Sequence, residues 1–244
     1  MAASSSSQQS KVLILDGGLG TSLEDKYGIK FESATTPLWS THLLVDGQDT
    51  LLACQKDFGD VPVDIILTAT YQLSIHGFAN TRTAQFPNGI DKANIGNFIQ
   101  DAIRIADEAG RSQGSKTALS IGPYGACMIP GQEYSGAYDA DHDTLEKLRD
   151  WHAERLQLFQ SAAAFSSPVS YVAIETIPRT DEIKASYESA VKELIQEGAV
   201  DAAPALILYP DGTNGEVYNT TTQKLLWVDA ARQATLILLG SELQ

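Results

Sequence analysis

Val12-Leu13-Ile14-Leu15-Asp16-Gly17-Gly18-Leu19-Gly20-Thr21 is the stretch on which the reading of the fold turns. Its four leading apolar residues have the continuous character of a strand covered on both faces. The run stops on Asp16, and Gly17, Gly18 and Gly20 then allow a sharp turn and a close approach of backbone to ligand. In parallel α/β folds the carboxyl end of a strand is where ligands bind, which makes Asp16 a candidate site residue. Clustered glycines after a strand also suggest a dinucleotide-binding turn. Here the spacing Gly-Gly-Leu-Gly is not Gly-x-Gly-x-x-Gly, and Asp16 puts a carboxylate where a pyrophosphate needs backbone amides. A structural Asp that caps the turn is the other reading of the same residues.

Five more runs read as strands: Asp64 to Tyr71, Lys116 to Gly122, Tyr171 to Thr176, Ala205 to Tyr209 and Ala234 to Leu239. Between them lie apolar stripes at helical spacing. Leu51, Cys54 and Phe58 share one face; Ile95, Phe98, Ile99, Ala102, Ile103 and Ala106 share another. Leu145, Leu148, His152, Leu156 and Phe159 form a third, opened by Asp141 and Asp143, and Tyr187, Ala190, Val191, Leu194 and Ile195 a fourth, with Gly198 as its C-cap. This alternation predicts a (β/α) barrel or a doubly wound sheet. Polar residues close several strands, namely Asp16, Thr68, Thr70, Ser120, Glu175 and Asp211, as a ring of strand ends around one site requires, and this favours the barrel. A closed barrel needs eight strands, and six are legible, so the expectation is an incomplete barrel of about six β/α units.

The 244 residues carry a net charge of -14, which argues against nucleic acid and anionic membrane surfaces as partners. Cys54 and Cys127 are far apart and outside any CxxC spacing, which fits a reducing compartment, and no apolar run reaches transmembrane length. Residues 1–10 read as a polar disordered tail without the apolar segment of a signal peptide, and the expected location is cytoplasmic. Asn219-Thr220-Thr221 matches a glycosylation acceptor, incidental in a chain that is not secreted.

Taken in order, Leu15-Asp16-Gly17-Gly18-Leu19-Gly20-Thr21, Pro37-Leu38-Trp39-Ser40, Asp64 through Ser74, Ser120-Ile121-Gly122-Pro123-Tyr124-Gly125 and Glu175-Thr176-Ile177-Pro178 resemble the homocysteine S-methyltransferases. That family shares its barrel with betaine-homocysteine methyltransferase and the homocysteine domain of cobalamin-dependent methionine synthase. The resemblance runs from Lys11 to about Ala185 and resumes from about Tyr187 to Thr222, and Tyr209 through Gly215 looks like the fungal branch. It implies that Asp16, the Gly17 and Gly18 backbone, Thr68 and Glu175 hold an amino acid substrate. The residue chemistry agrees: two acids can pair with an ammonium, while glycine amides and a threonine hydroxyl can donate to a carboxylate. Read without the resemblance, the same two acids serve equally well as the general acid/base pair of a glycosidase, or of a metal-independent lyase.

The resemblance further implies methyl transfer from S-methylmethionine or S-adenosylmethionine to homocysteine, giving methionine. It also implies a Zn²⁺ ion on three cysteines that lowers the pKa of the substrate thiol. Neither cysteine motif of the family, a Gly-x-Asn-Cys and a Gly-Gly-Cys-Cys, is present in this chain. The sequence passes from Asp181-Glu182-Ile183-Lys184-Ala185 almost directly to the helix before Ala205, as if two β/α units of roughly 30 residues each had been removed near 185–186. Leu239-Gly240-Ser241 stands where the paired cysteines are expected, and the chain is atypical from about 225. Cys54, on a stripe with Leu51 and Phe58, reads as a small buried hydrophobe, and Cys127 is the one cysteine that can face the active-site end, although no metal ligand is expected. His42, His76, His142 and His152 show no metal-site spacing. Residues 11–244 are therefore expected to form a homocysteine-binding domain that keeps its substrate clamp without visible metal ligands. The alternative is a non-catalytic amino-acid-binding module. Trp39 and Tyr71 are candidates to line the pocket, and Tyr134 and Tyr138 to cover it.

Overall fold

Leu15 is where the opening stretch joins the sheet, through a parallel bridge to Ile65. The computed structural model describes residues 13–32, 36–163, 169–190, 193–194, 205–208 and 236–240. The chain forms α1 (Leu19–Tyr27), α2 (Leu43–Asp46), α3 (Gln48–Gly59), β1 (Ile65–Leu67), α4 (Ile75–Asn80), α5 (Lys92–Gly110) and β2 (Lys116–Ile121). It continues through α6 (Leu145–Ala163), β3 (Tyr171–Glu175), α7 (Thr180–Ala190), β4 (Ala205–Leu208) and β5 (Leu236–Gly240). Single 3₁₀ turns at Trp39–His42 and Tyr124–Cys127 interrupt the connections.

The sheet has the order β1-β2-β3-β5-β4. Strands β1, β2 and β3 are parallel, in the β/α succession that the sequence predicts. β5 departs from it, running antiparallel to both β3 and β4, so the described sheet is mixed and closure into a barrel is not seen among the described residues. An unalternated apolar run such as Leu236 to Leu239 carries no signal of strand direction, which is why the sequence does not reveal the reversal.

Side-chain alternation along the strands separates two faces. Leu119, Ile121, Val172 and Ile174 enter one core cluster with residues of α5, α6 and α7, such as Ile99, Leu156 and Ile183. Ala118, Tyr171 and Ala173 join Ile65 on the opposite face, where Leu13, Leu15 and Leu67 pack partly buried. Ser120 and Glu175 continue this second face towards the carboxyl ends of the strands, where the site lies.

Three of the four stripes become helices on the predicted faces. Leu51 and Cys54 in α3, Ile95, Ile99 and Ile103 in α5, and Leu148, Leu156 and Phe159 in α6 are fully buried. Asp141 and Asp143 do not open α6; Thr144 does, its hydroxyl accepting the Lys147 N–H at 3.3 Å. The fourth stripe begins earlier than expected, at Thr180, and α7 runs without a break through Ala185 and Ser186. β1 is also shorter than its apolar run, because the chain leaves the ladder at Thr68 and turns, Thr70 N–H bonding Thr68 O at 2.8 Å. The expected tail at 1–10, Val12, Val191, Ile195, Gly198, Tyr209, Asp211 and Asn219 lie outside the described residues. Among the described residues no helix is long and apolar enough to cross a membrane.

Candidate functional site

Among the described residues, the opening stretch pairs with the sheet only at the Leu15 bridge and leaves Ile14 exposed, instead of forming the expected doubly covered strand. It joins the carboxyl ends of β1, β2 and β3 around a cleft of about 230 Å³. Asp16, Gly17, Gly18, Thr68 and Glu175, drawn from three separated parts of the sequence, all line it. Trp39, Tyr71 and Tyr134 add aromatic walls; Tyr134 is 81% exposed at the mouth. Tyr138 turns away from the cleft, and its hydroxyl donates to Glu182.

Asp16 is fixed by backbone bonds on both sides. Its N–H donates to Ile65 O at 3.0 Å, and its Oδ2 accepts the Leu67 N–H at 2.9 Å. Its Oδ1 is buried and has no hydrogen-bond partner among the described residues. Burial pushes this carboxyl up to about 8; the Leu67 N–H opposes the rise and the charge of Glu175 adds to it. Glu175 ends β3 and accepts the Ser120 hydroxyl at 2.5 Å. Burial raises its pKa too, against the Ser120 hydrogen bond. The cleft thus holds two acids whose burial resists their ionisation.

Thr68 differs from the sequence reading. Its Oγ1 accepts the Ser120 N–H at 3.1 Å and lies 2.6 Å from Thr70 Oγ1, while the Thr70 hydroxyl donates to Ser120 O at 2.8 Å. The proton of Thr70 is therefore committed to Ser120, and that of Thr68 to Thr70. Thr68 faces the cleft as an acceptor, whereas the sequence reading made it a donor to a carboxylate.

The glycine turn leads into α1, whose N-cap is Gly18. Gly18, Leu19, Gly20 and Thr21 border the cleft, so the first-turn amides, which have no intrahelical acceptors, lie along its wall with the positive end of the helix dipole. A Cβ on Gly20 would stand 2.2 Å from the Trp39 ring, which explains the glycine there. Two residues of the wall, Trp39 and Thr176, have positive φ of 46° and 57°. For non-glycine residues such backbone costs on the order of 1–3 kcal/mol and concentrates at functional sites.

With this geometry in place, the chain matches the homocysteine S-methyltransferase family over residues 13–195. The chain belongs to the homocysteine S-methyltransferase family. Homocysteine S-methyltransferase 2 of Arabidopsis thaliana is 32% identical over 205 residues, covering 77% of this chain and 55% of that protein. Betaine-homocysteine S-methyltransferase of Drosophila melanogaster is 31% identical over 202 residues, covering 78% and 55%. Among solved structures, the homocysteine methyltransferase MmuM of Escherichia coli in its metallated form superposes with a TM-score of 0.58 at 28% identity, covering 75% of this chain and 60% of that one. The chain thus spans about half the length of the relatives it matches.

The three-cysteine zinc centre that the family resemblance implies does not fit the residues present. Among the described residues no group of three His, Cys, Asp or Glu is arranged to hold a metal ion. Cys54 is fully buried among the apolar residues of α3. Cys127 is directed to Gln72 O at 3.5 Å and borders a different cavity, so the sequence expectation that it faces the strand-end site is corrected. His152 is fully buried but not merely packed: its Nε2 lies 3.0 Å from Glu182 Oε1.

Sequence reasoning missed several members of the site. Gln55 donates to Leu67 O at 2.6 Å and steadies the strand end that holds Asp16. Its position one turn after Leu51, on the buried stripe of α3, is the signal that could have found it. Glu133 joins the lining from a loop with no periodicity to read.

Proposed function

We propose that the cleft recognises homocysteine for methyl transfer, as the amino-acid-binding part of a homocysteine S-methyltransferase. The observation that carries the reading is the buried, unpartnered Oδ1 of Asp16 within a cleft that also holds Glu175 and Thr68. An ammonium has three N–H donors, and Asp16 Oδ1, Glu175 and the Thr68 oxygen are three acceptors around one space. The amino acid carboxylate then belongs at the amides of the Gly18 turn, where the α1 dipole favours negative charge. A zwitterion satisfies both ends at once. By contrast, a glycosidase reading leaves the amide wall without a role.

The whole-protein activity that this recognition serves is methyl transfer from a sulfonium donor, S-methylmethionine or S-adenosylmethionine, to the homocysteine thiol. The sulfonium charge activates its own leaving group, and what the protein adds is alignment of thiol, methyl carbon and leaving sulfur. That the chain is an incomplete form of the family's barrel, with an internal deletion near 185–186, is part of the same reading. A second reading, an amino-acid-binding module without methyl transfer, is favoured by the misfit of the zinc site to these residues.

One experiment decides between them. The chain is supplied with homocysteine and methyl-labelled S-methylmethionine, and labelled methionine is measured beside calorimetric homocysteine binding. Binding with turnover supports the full reading, binding without turnover supports the module, and absence of binding overturns both.

A further inference from the structure

A second cavity, of about 480 Å³, lies between α4, α6 and the 124–142 segment, with Ser74, Ala79, Tyr124, His142, Trp151 and Arg155 along its wall. It shares no lining residue with the cleft at Asp16. Its size falls within the roughly 300–1,000 Å³ of small-molecule sites.

The wall has two kinds of chemistry. The first is aromatic: Tyr124 and His142 stack with centroids 4.0 Å apart, and Trp151 meets Tyr124 edge-on at 5.3 Å. The second is a buried cation. Arg155 is 1% exposed, with its guanidinium carbon 5.1 Å from the centre of the Trp151 ring. Its Nη1 donates to Gly122 O at 2.8 Å, and its Nη2 to Thr70 O and Tyr71 O at 3.2 and 2.9 Å. Its Nε has no hydrogen-bond partner among the described residues.

Every hydrogen-bond acceptor of Arg155 named above is a neutral carbonyl. Glu182, whose charge Arg155 feels, gives its oxygens to the Tyr124 N–H, the Tyr138 hydroxyl and His152. Glu154 stands exposed in the cavity wall, paired with Lys92 at 2.7 Å. A buried guanidinium without a carboxylate of its own is costly, and a charge-assisted bond to its free N–H relieves that cost.

We propose that this cavity is a second ligand site, taking a planar aromatic carboxylate of one or two rings. The ring lies among Tyr124, His142 and Trp151, and the carboxylate accepts from Arg155 Nε. The aromatic surfaces supply stacking area, and the single buried cation selects acid over neutral analogue.

The test uses 2-naphthoate as the probe, titrated calorimetrically into the full chain. The expected result is one saturable site with a dissociation constant of about 1 mM or tighter, not displaced by excess homocysteine. The neutral 2-naphthalenemethanol should bind about tenfold more weakly or worse. Ala79→Trp, at an exposed wall position, should fill the cavity and abolish binding. No saturation by about 10 mM, equal binding of acid and alcohol, displacement by homocysteine, or undiminished binding in a folded Ala79→Trp variant each overturns the proposal. The acid-against-alcohol comparison needs no variant, so the test holds even if Ala79→Trp fails to fold.

Discussion

Asp16 concentrates the physics of the site. Its ordinary pKa of 3.8 rises to about 8 in the folded chain. A carboxyl raised in this way favours folding fully at pH values below about 4, and that contribution is lost as the pH rises through about 8. The melting temperature of the ligand-free protein is therefore expected to fall between pH 6 and 9, and Asp16→Asn to flatten that slope in a thermal-denaturation series. Thr68 makes a second, independent prediction. Because its oxygen accepts the Ser120 N–H and, in the proposed clamp, the ammonium, Thr68→Val should weaken homocysteine binding by about tenfold or more, and also cost ~1–3 kcal/mol of stability by orphaning that N–H. Calorimetry and urea unfolding read the two effects separately. The gathering of Asp16, Thr68 and Glu175 at one set of strand ends was legible in the sequence because each ends an apolar run. The direction of the Thr68 hydrogen bond was not, since it depends on Thr70 and Ser120, and Ser120 comes from a neighbouring strand.

At the scale of elements, α7 packs on α6 and β3. Glu182 in its first turn is fully buried, accepting the Tyr124 N–H at 2.6 Å, the Tyr138 hydroxyl and His152. Burial lowers the pKa of His152, so the ring is held neutral and donates its Nε2–H to the carboxylate. Removing the acid strands three polar partners at once, and Glu182→Ala should cost about 3–5 kcal/mol in urea unfolding. A close helix approach gives a second element-level test: a Cβ on Gly59 of α3 would stand 2.0 Å from Ala109 O of α5. Backbone cannot yield as a flexible side chain can, so Gly59→Ala is expected to lose ~1–3 kcal/mol, seen as a lower urea midpoint. The positions of α3, α5 and α6 were legible from their apolar stripes. The early start of α7 was hidden, because Thr180 to Glu188 is mostly polar and its buried Glu182 and Ser186 read as surface.

For the whole molecule, the parallel β1-β2-β3 core with its helices carries the candidate cleft, while β5 enters against the direction of a regular β/α succession. Local pattern reveals the parallel part because each strand is followed by a helix and a polar strand end. It cannot reveal β5, whose pairing is fixed by partners distant in sequence. The central claim is that Asp16 and Glu175 form an ammonium clamp whose Asp16 ionises when the clamp is occupied. Its most direct test is homocysteine titration of the wild-type chain at pH 7 in buffers of differing ionisation enthalpy, repeated with Asp16→Asn. The account predicts one-site binding with release of a proton from the cleft, and an affinity lower by about tenfold or more, without that proton release, in the variant. Binding of equal strength in both proteins, or binding with no proton release in the wild type, would contradict it.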